Sequence, residues 1–135
     1  MKIFFAEEQK YKKRARLWAI LWTLLIFVLC LYPGTELPKV DVPLADKWAH
    51  FIFFAIFSFL WLSSFRPPST VQYFLILVFS IFVGWLVEYL QGAFPVLKRS
   101  ADQMDTVADA IGGLLGILIF ATWYSIFTRS RKQQH

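Results

Sequence analysis

The stretch Glu88-Tyr-Leu-Gln91, continuing through Arg99-Ser-Ala-Asp102-Gln-Met-Asp105-Thr-Val-Ala-Asp109, lies between two long apolar runs. A carboxylate and an amide stand near the end of the first run, a basic turn follows, and three carboxylates lead into the second. An ionisable side chain at bilayer depth costs roughly 2.5–3.5 kcal/mol on insertion scales, so such groups persist there by pairing, by facing water or by meeting a ligand. The stretch reads as a polar turn joining two apolar helices, and as the place to look for function.

The rest of the chain supports that reading. Of 135 residues, 58% are hydrophobic and only 17% charged, with a mean hydropathy of +0.53, which places the protein in the membrane class. The net charge of +5 sits mainly in tails flanking the apolar runs. No basic face interleaves with aromatics, which argues against nucleic acid as a partner. Cys30 is the single cysteine, so an internal disulfide is excluded, and no Cys/His spacing suggests zinc.

Taken in order, the chain predicts an all-α, four-transmembrane-helix membrane bundle in one domain. Residues 1–16 form a basic, amphipathic lead, and 17–32 a short first membrane helix with Trp18 and Tyr32 as interface anchors. A retained helix fits better than a cleaved signal peptide, because the residues before Pro33 are bulky. Three prolines make 33–45 a loop. Asp46 reads as the N-cap of a helix over 47–65, followed by helices over 73–94 and 105–127 and a polar tail over 128–135. Four spans put both tails and the 66–72 turn on one side. That side holds most of the Lys and Arg, and the opposite side only Lys39, Lys47, Lys98 and Arg99, so the termini are expected to be cytoplasmic.

Helical spacing then gathers the polar residues. Asp46 and Lys47 share a face with His50, and Glu88 shares one with Gln91. Asp102, Asp105 and Asp109 follow an i, i+3, i+7 stripe. Glu88 lies roughly 9 Å inside its helix end at 1.5 Å per residue, and His50 and Asp109 lie one to two turns inside theirs, so a shared pocket under the outer surface is expected. Several roles fit it. Asp102, Asp105 and Asp109 are candidate ligands for a divalent cation, as oxygen-rich sites favour Mg, Ca or Mn. His50, Glu88 and Asp105 are candidate catalytic groups, as an acid–base pair or relay. Asp46, Lys47, Gln91 and Arg99 are candidate substrate-binding groups, with Lys47 and Arg99 suited to an anion. The plain alternative is that these side chains only lock the helices together. Gly112-x-x-x-Gly116 points to close helix approach within the bundle.

The pieces Asp46-Lys47-x-x-His50-Phe51, Glu88-x-x-Gln91, Arg99-x-x-Asp102-x-x-Asp105 and Gly112 together resemble the VanZ-like family of small bacterial membrane proteins. The resemblance spans about Asp46 to Gly116. One departure is Asp109, where the family usually carries Asn. The resemblance implies a multi-helix protein of the bacterial cytoplasmic (inner) membrane and, for the family's founding member, a contribution to teicoplanin resistance.

The leading expectation is an outward-facing polar pocket that binds or remodels a membrane lipid or a lipid-linked, headgroup-bearing envelope molecule. The alternatives are a metal-dependent membrane enzyme acting on a lipid or phosphorylated headgroup, and an accessory protein whose cluster only locks the bundle. A second copy of the chain is a candidate partner, because four helices with a one-sided pocket would need one for transport.

Overall fold

In the computed structural model, the backbone is described for residues 2–36 and 41–132, and the side chains for 7–36 and 41–130. Lys39 and His135 fall outside the described residues. Four helices account for most of the chain: α1 (Lys2–Cys30), α2 (Ala45–Ser63), α3 (Thr70–Ala93) and α4 (Gln103–Lys132), with 3₁₀ turns at Gly34–Glu36 and Pro95–Leu97. They form a bundle. By length and composition α2, α3 and α4 (as far as Ser130) are each long and apolar enough to cross a membrane. The basic lead is not separate from the first helix: α1 runs without a break from Lys2, and its apolar half begins at Leu17.

The helix boundaries have local causes. Asp46 is not the N-cap of α2. The Ala45 N–H bonds the Val42 carbonyl, closing a turn around Pro43 and Leu44, and Leu44 takes a left-handed φ of 57° at the cap position. That turn starts the helix early and leaves Asp46 in its first turn. At α3, Ser69 and Gln72 form a reciprocal capping box, so the helix starts before Tyr73. At α4, Asp102 Oδ1 accepts from the Met104 N–H at 2.9 Å, and the helix opens at Gln103.

α2 is the central element, packed most extensively on α4 and also against α1 and α3. Near one end the core consists of Ile26 and Cys30 from α1, Phe54 and Phe57 from α2, and Val83 and Val87 from α3. Toward the other it consists of Leu62, Ile76, Ile117 and Phe120. Between apolar helices in lipid, association depends on close packing more than on hydrophobicity, so small residues decide where backbones meet. A Cβ at Gly112 would land on the Phe51 carbonyl, and one at Gly116 on the Ala55 carbonyl. The Gly112/Gly116 stripe thus presses α4 onto the backbone of α2, the close approach its spacing suggested. Indole N–H groups bind α1 alongside: Trp22 donates to the Phe53 carbonyl at 2.9 Å, and Trp61 to Thr23 Oγ1 at 3.1 Å.

The two ends of the bundle differ. At one, Arg66 in the α2–α3 turn lies over the rings of Tyr11 (4.8 Å), Trp123 (4.8 Å), Tyr124 (5.5 Å) and Phe127 (5.0 Å), uniting the N-terminal half of α1 with the C-terminal half of α4. At the other end the C-termini of α1 and α3 meet the N-termini of α2 and α4, and the polar residues collect there.

Gly116→Ala should destabilise the bundle by about 1–3 kcal/mol, because the added methyl meets backbone rather than a movable side chain. Leu118→Ala, on the exposed face, should change stability by about 0.5 kcal/mol or less. Unfolding of both variants in detergent checks the difference.

Candidate functional site

The cluster is built from α2, α3 and α4. His50, Glu88, Asp105 and Asp109 are each no more than 4% exposed. His50 projects from the second turn of α2 toward α4, where its Nδ1 meets Asp109 Oδ1 at 2.9 Å. Asp109 reaches that position because α3 offers Gly84 opposite: a Cβ there would stand 2.5 Å from Asp109 Oδ2. With Nδ1 facing a carboxylate, the imidazole is oriented as a donor at Nδ1, and Nε2 is the nitrogen left for other chemistry. Nε2 lies 3.9 Å from Glu88 Oε1 and 4.0 Å from Asp105 Oδ2. Both separations exceed hydrogen-bond range.

Lys47, one turn before His50, bridges two carboxylates of α4, Asp102 Oδ2 at 2.7 Å and Asp105 Oδ1 at 2.9 Å. Asp102 links three elements. Its Oδ1 caps α4, its Oδ2 takes Lys47, and its backbone N–H donates to Glu88 Oε2 at 2.7 Å. The lysine hydrogen bond holds the Asp102 carboxyl below its usual value, and the Met104 N–H adds to this. The other Glu88 oxygen, Oε1, and Asp109 Oδ2 are buried with no hydrogen-bond partner among the described residues. A buried acceptor without a partner is unusual enough to require a reason.

Gln91 and Arg99 serve a different neighbour. Gln91 Nε2 donates to the Cys30 carbonyl at 2.7 Å, and Arg99 Nε to the Tyr32 carbonyl at 3.1 Å. The last carbonyls of a helix have no intrahelical donor, so Gln91 ties the end of α1 to α3, while Arg99 ties Tyr32, two residues further on, to the α3–α4 connection. Of the sequence-predicted residues, His50, Glu88, Asp105, Asp109 and Lys47 therefore come together with Asp102, and Asp46 stands at their exposed edge. Gln91 and Arg99 lie beside them, engaged with the Cys30 and Tyr32 carbonyls. The three-aspartate stripe is divided among partners: Asp102 to Lys47, Asp105 to Lys47 and the space by His50, and Asp109 to His50 Nδ1.

Two features escaped the sequence reading. Beneath the cluster, Ser58 and Ser80 have buried hydroxyls with no partner, facing Gly113. At the opposite end a groove of about 680 Å³ runs past Glu7, Glu8, Tyr11, Arg66, Trp123 and Tyr124. An arginine next to the prolines of the 66–72 turn was the available signal, but which aromatics it would meet depends on how α1 and α4 pack.

An apolar helical bundle with an ionisable cluster buried at one end is the architecture of an integral membrane protein. Family comparison is more specific. The chain belongs to the VanZ/LLP1 family, whose model matches residues 2–125. No curated protein and no solved structure matches the chain significantly.

The Lys47–Asp102 bridge has a defined pH window. Because the folded carboxyl lies below its ordinary value of 3.8, the bridge contributes fully above that value and is lost as the pH falls through the lower, folded one. The ¹³C carboxyl resonance of Asp102 should therefore titrate below its ordinary value in the native protein and move back up in Lys47→Met.

Proposed function

We propose that this protein engages a membrane lipid or a lipid-linked envelope molecule by its headgroup at the His50–Glu88–Asp105 cluster, from the outer side of the bacterial inner membrane. The observation that carries the reading is the burial of two unpartnered carboxylate oxygens, Glu88 Oε1 and Asp109 Oδ2, beside His50 in an otherwise apolar bundle. Such acceptors suit the hydroxyls of a sugar-bearing headgroup. Asp46, at the exposed edge, and Arg99, whose Nε is engaged with the Tyr32 carbonyl, are the candidate contacts for the same molecule. The outward orientation is supported by the concentration of Lys and Arg at the opposite end, where a positive-inside bias would put the cytoplasm. A contribution to teicoplanin tolerance belongs to this reading, since the VanZ resemblance implies it and that antibiotic acts at the outer surface.

A second reading is favoured by one observation, the Asp109–His50 hydrogen bond. A histidine held by a carboxylate at one nitrogen, with the other turned to an acidic group, is the arrangement of a general base. On that reading His50 and Glu88 would be the catalytic groups of an enzyme acting on the same headgroup.

Native mass spectrometry of the detergent-purified protein should show a retained headgroup-bearing lipid. Retention should fall in Glu88→Gln and in Arg99→Ala while helicity is unchanged. Equal retention by all three proteins would contradict the proposal.

A further inference from the structure

At the exposed edge of the cluster one ligand-type atom from each of Asp46, His50 and Asp105 lies within 4.8 Å of the others. Carboxylates often gather without a ligand, but here a fourth group points to one. Glu88 comes from a different helix and is 4% exposed, and its Oε1 has no hydrogen-bond partner. That oxygen is aimed at His50 Nε2 from 3.9 Å, while Asp105 Oδ2 faces the same nitrogen from 4.0 Å. Two atoms bound to one cation through bonds of about 2.1–2.4 Å stand roughly 3–4 Å apart. The spacing suits an ion held between these groups better than a direct bond between them.

The ring behind them is set for the same task. Asp109 holds His50 Nδ1 at 2.9 Å, and a carboxylate on the far nitrogen of an imidazole is the usual support of a histidine that ligates metal. Charge argues the same way. Among the described residues Lys47 is the cation hydrogen-bonded within the cluster, and it is already shared between Asp102 and Asp105.

We propose that Asp46, His50 and Asp105 bind one divalent cation, which Glu88 Oε1 approaches from the side of His50 Nε2, with Asp109 as the positioning residue for His50. Three carboxylates and one imidazole favour an ion of the Mn²⁺ type. Asp46 is exposed, so the ion has a route of entry and keeps a side open to solution. There it takes a phosphate oxygen of the headgroup, which the surrounding carboxylates would otherwise repel. The inference rests on the same cluster being the working site and assigns its ligand a phosphate.

The protein in detergent, stripped with EDTA, is titrated with Mn²⁺ in the absence of added lipid while electron paramagnetic resonance follows the free ion. The expected result is about one Mn²⁺ per chain, with a ¹⁴N coupling from the imidazole. Affinity should fall at least ~10-fold in Glu88→Gln and Asp105→Asn, and be unchanged in Asp41→Asn, an exposed acid outside the cluster. Absence of binding at about 1 mM, binding without nitrogen coupling, or equal binding by a folded Glu88→Gln variant would overturn the proposal. If that variant loses helicity, the nitrogen coupling in the unsubstituted protein decides. Failure here leaves headgroup capture standing on its own lipid-retention test, and stoichiometric Mn²⁺ binding without lipid retention would reject capture alone.

Discussion

Ionisable groups inside an apolar bundle must satisfy one another or be satisfied by something else, and His50 is where this chain meets that constraint. Its Nδ1 is bonded to Asp109 of α4, and its Nε2 faces Glu88 of α3 and Asp105 of α4. One residue of α2 thereby touches both other helices of the cluster. The contact depends on backbones approaching closely, which Gly112 and Gly116 allow between α4 and α2, and Gly84 allows opposite Asp109. Apolar packing supplies the proximity, and the polar pairs select one register within it, since a shift of one turn would separate every pair. Buried polar contacts between membrane helices are individually modest, about 0.6 kcal/mol on average, so the constraint acts through their number and mutual geometry.

The opposite end is held by different physics. Arg66 lies over four aromatic rings from α1 and α4, and a cation against ring faces contributes about 0.5–2 kcal/mol depending on desolvation. Among the described residues this end has no buried unpartnered carboxylate oxygen, whereas the polar end retains two, Glu88 Oε1 and Asp109 Oδ2. Structural locking accounts for Lys47, Asp102 and Gln91, and for the Nε of Arg99, all of which have partners. It does not account for Glu88 Oε1 or Asp109 Oδ2. That contrast, within one cluster, is the basis for treating it as more than a fastening.

Much of this was legible in the sequence because hydropathy and helical period are local properties. The helices, their order and the gathering of His50, Glu88, Asp105 and Asp109 follow from apolar runs and three- or four-residue spacings. Partner choice is not local. Asp46 looked like a helix cap, but the turn closed by Val42 and Ala45 took the start of α2 one residue earlier. Arg99 and Lys47 looked like a pair of anion ligands, yet one is held by the Tyr32 carbonyl and the other by two aspartates. The Ser69–Gln72 capping box is written in its own three-residue spacing, and it starts α3 ahead of the apolar run at Tyr73. Asp109 stood out as a departure from the amide usual in the family. Its role emerges only when Gly84 and His50 are seen on either side of it.

The central claim is that His50 and Asp109 act as a coupled pair at the heart of a folded cluster, and a double-mutant cycle tests it most directly. Unfolding free energies in detergent for the unsubstituted protein, His50→Ala, Asp109→Ala and the double variant should give a coupling of about 1–2 kcal/mol, at the upper end for polar contacts between membrane helices, because either single substitution leaves a buried partner unsatisfied. Additive effects, agreeing within about 0.5 kcal/mol, would mean that the two side chains do not meet, and would contradict the account of the site.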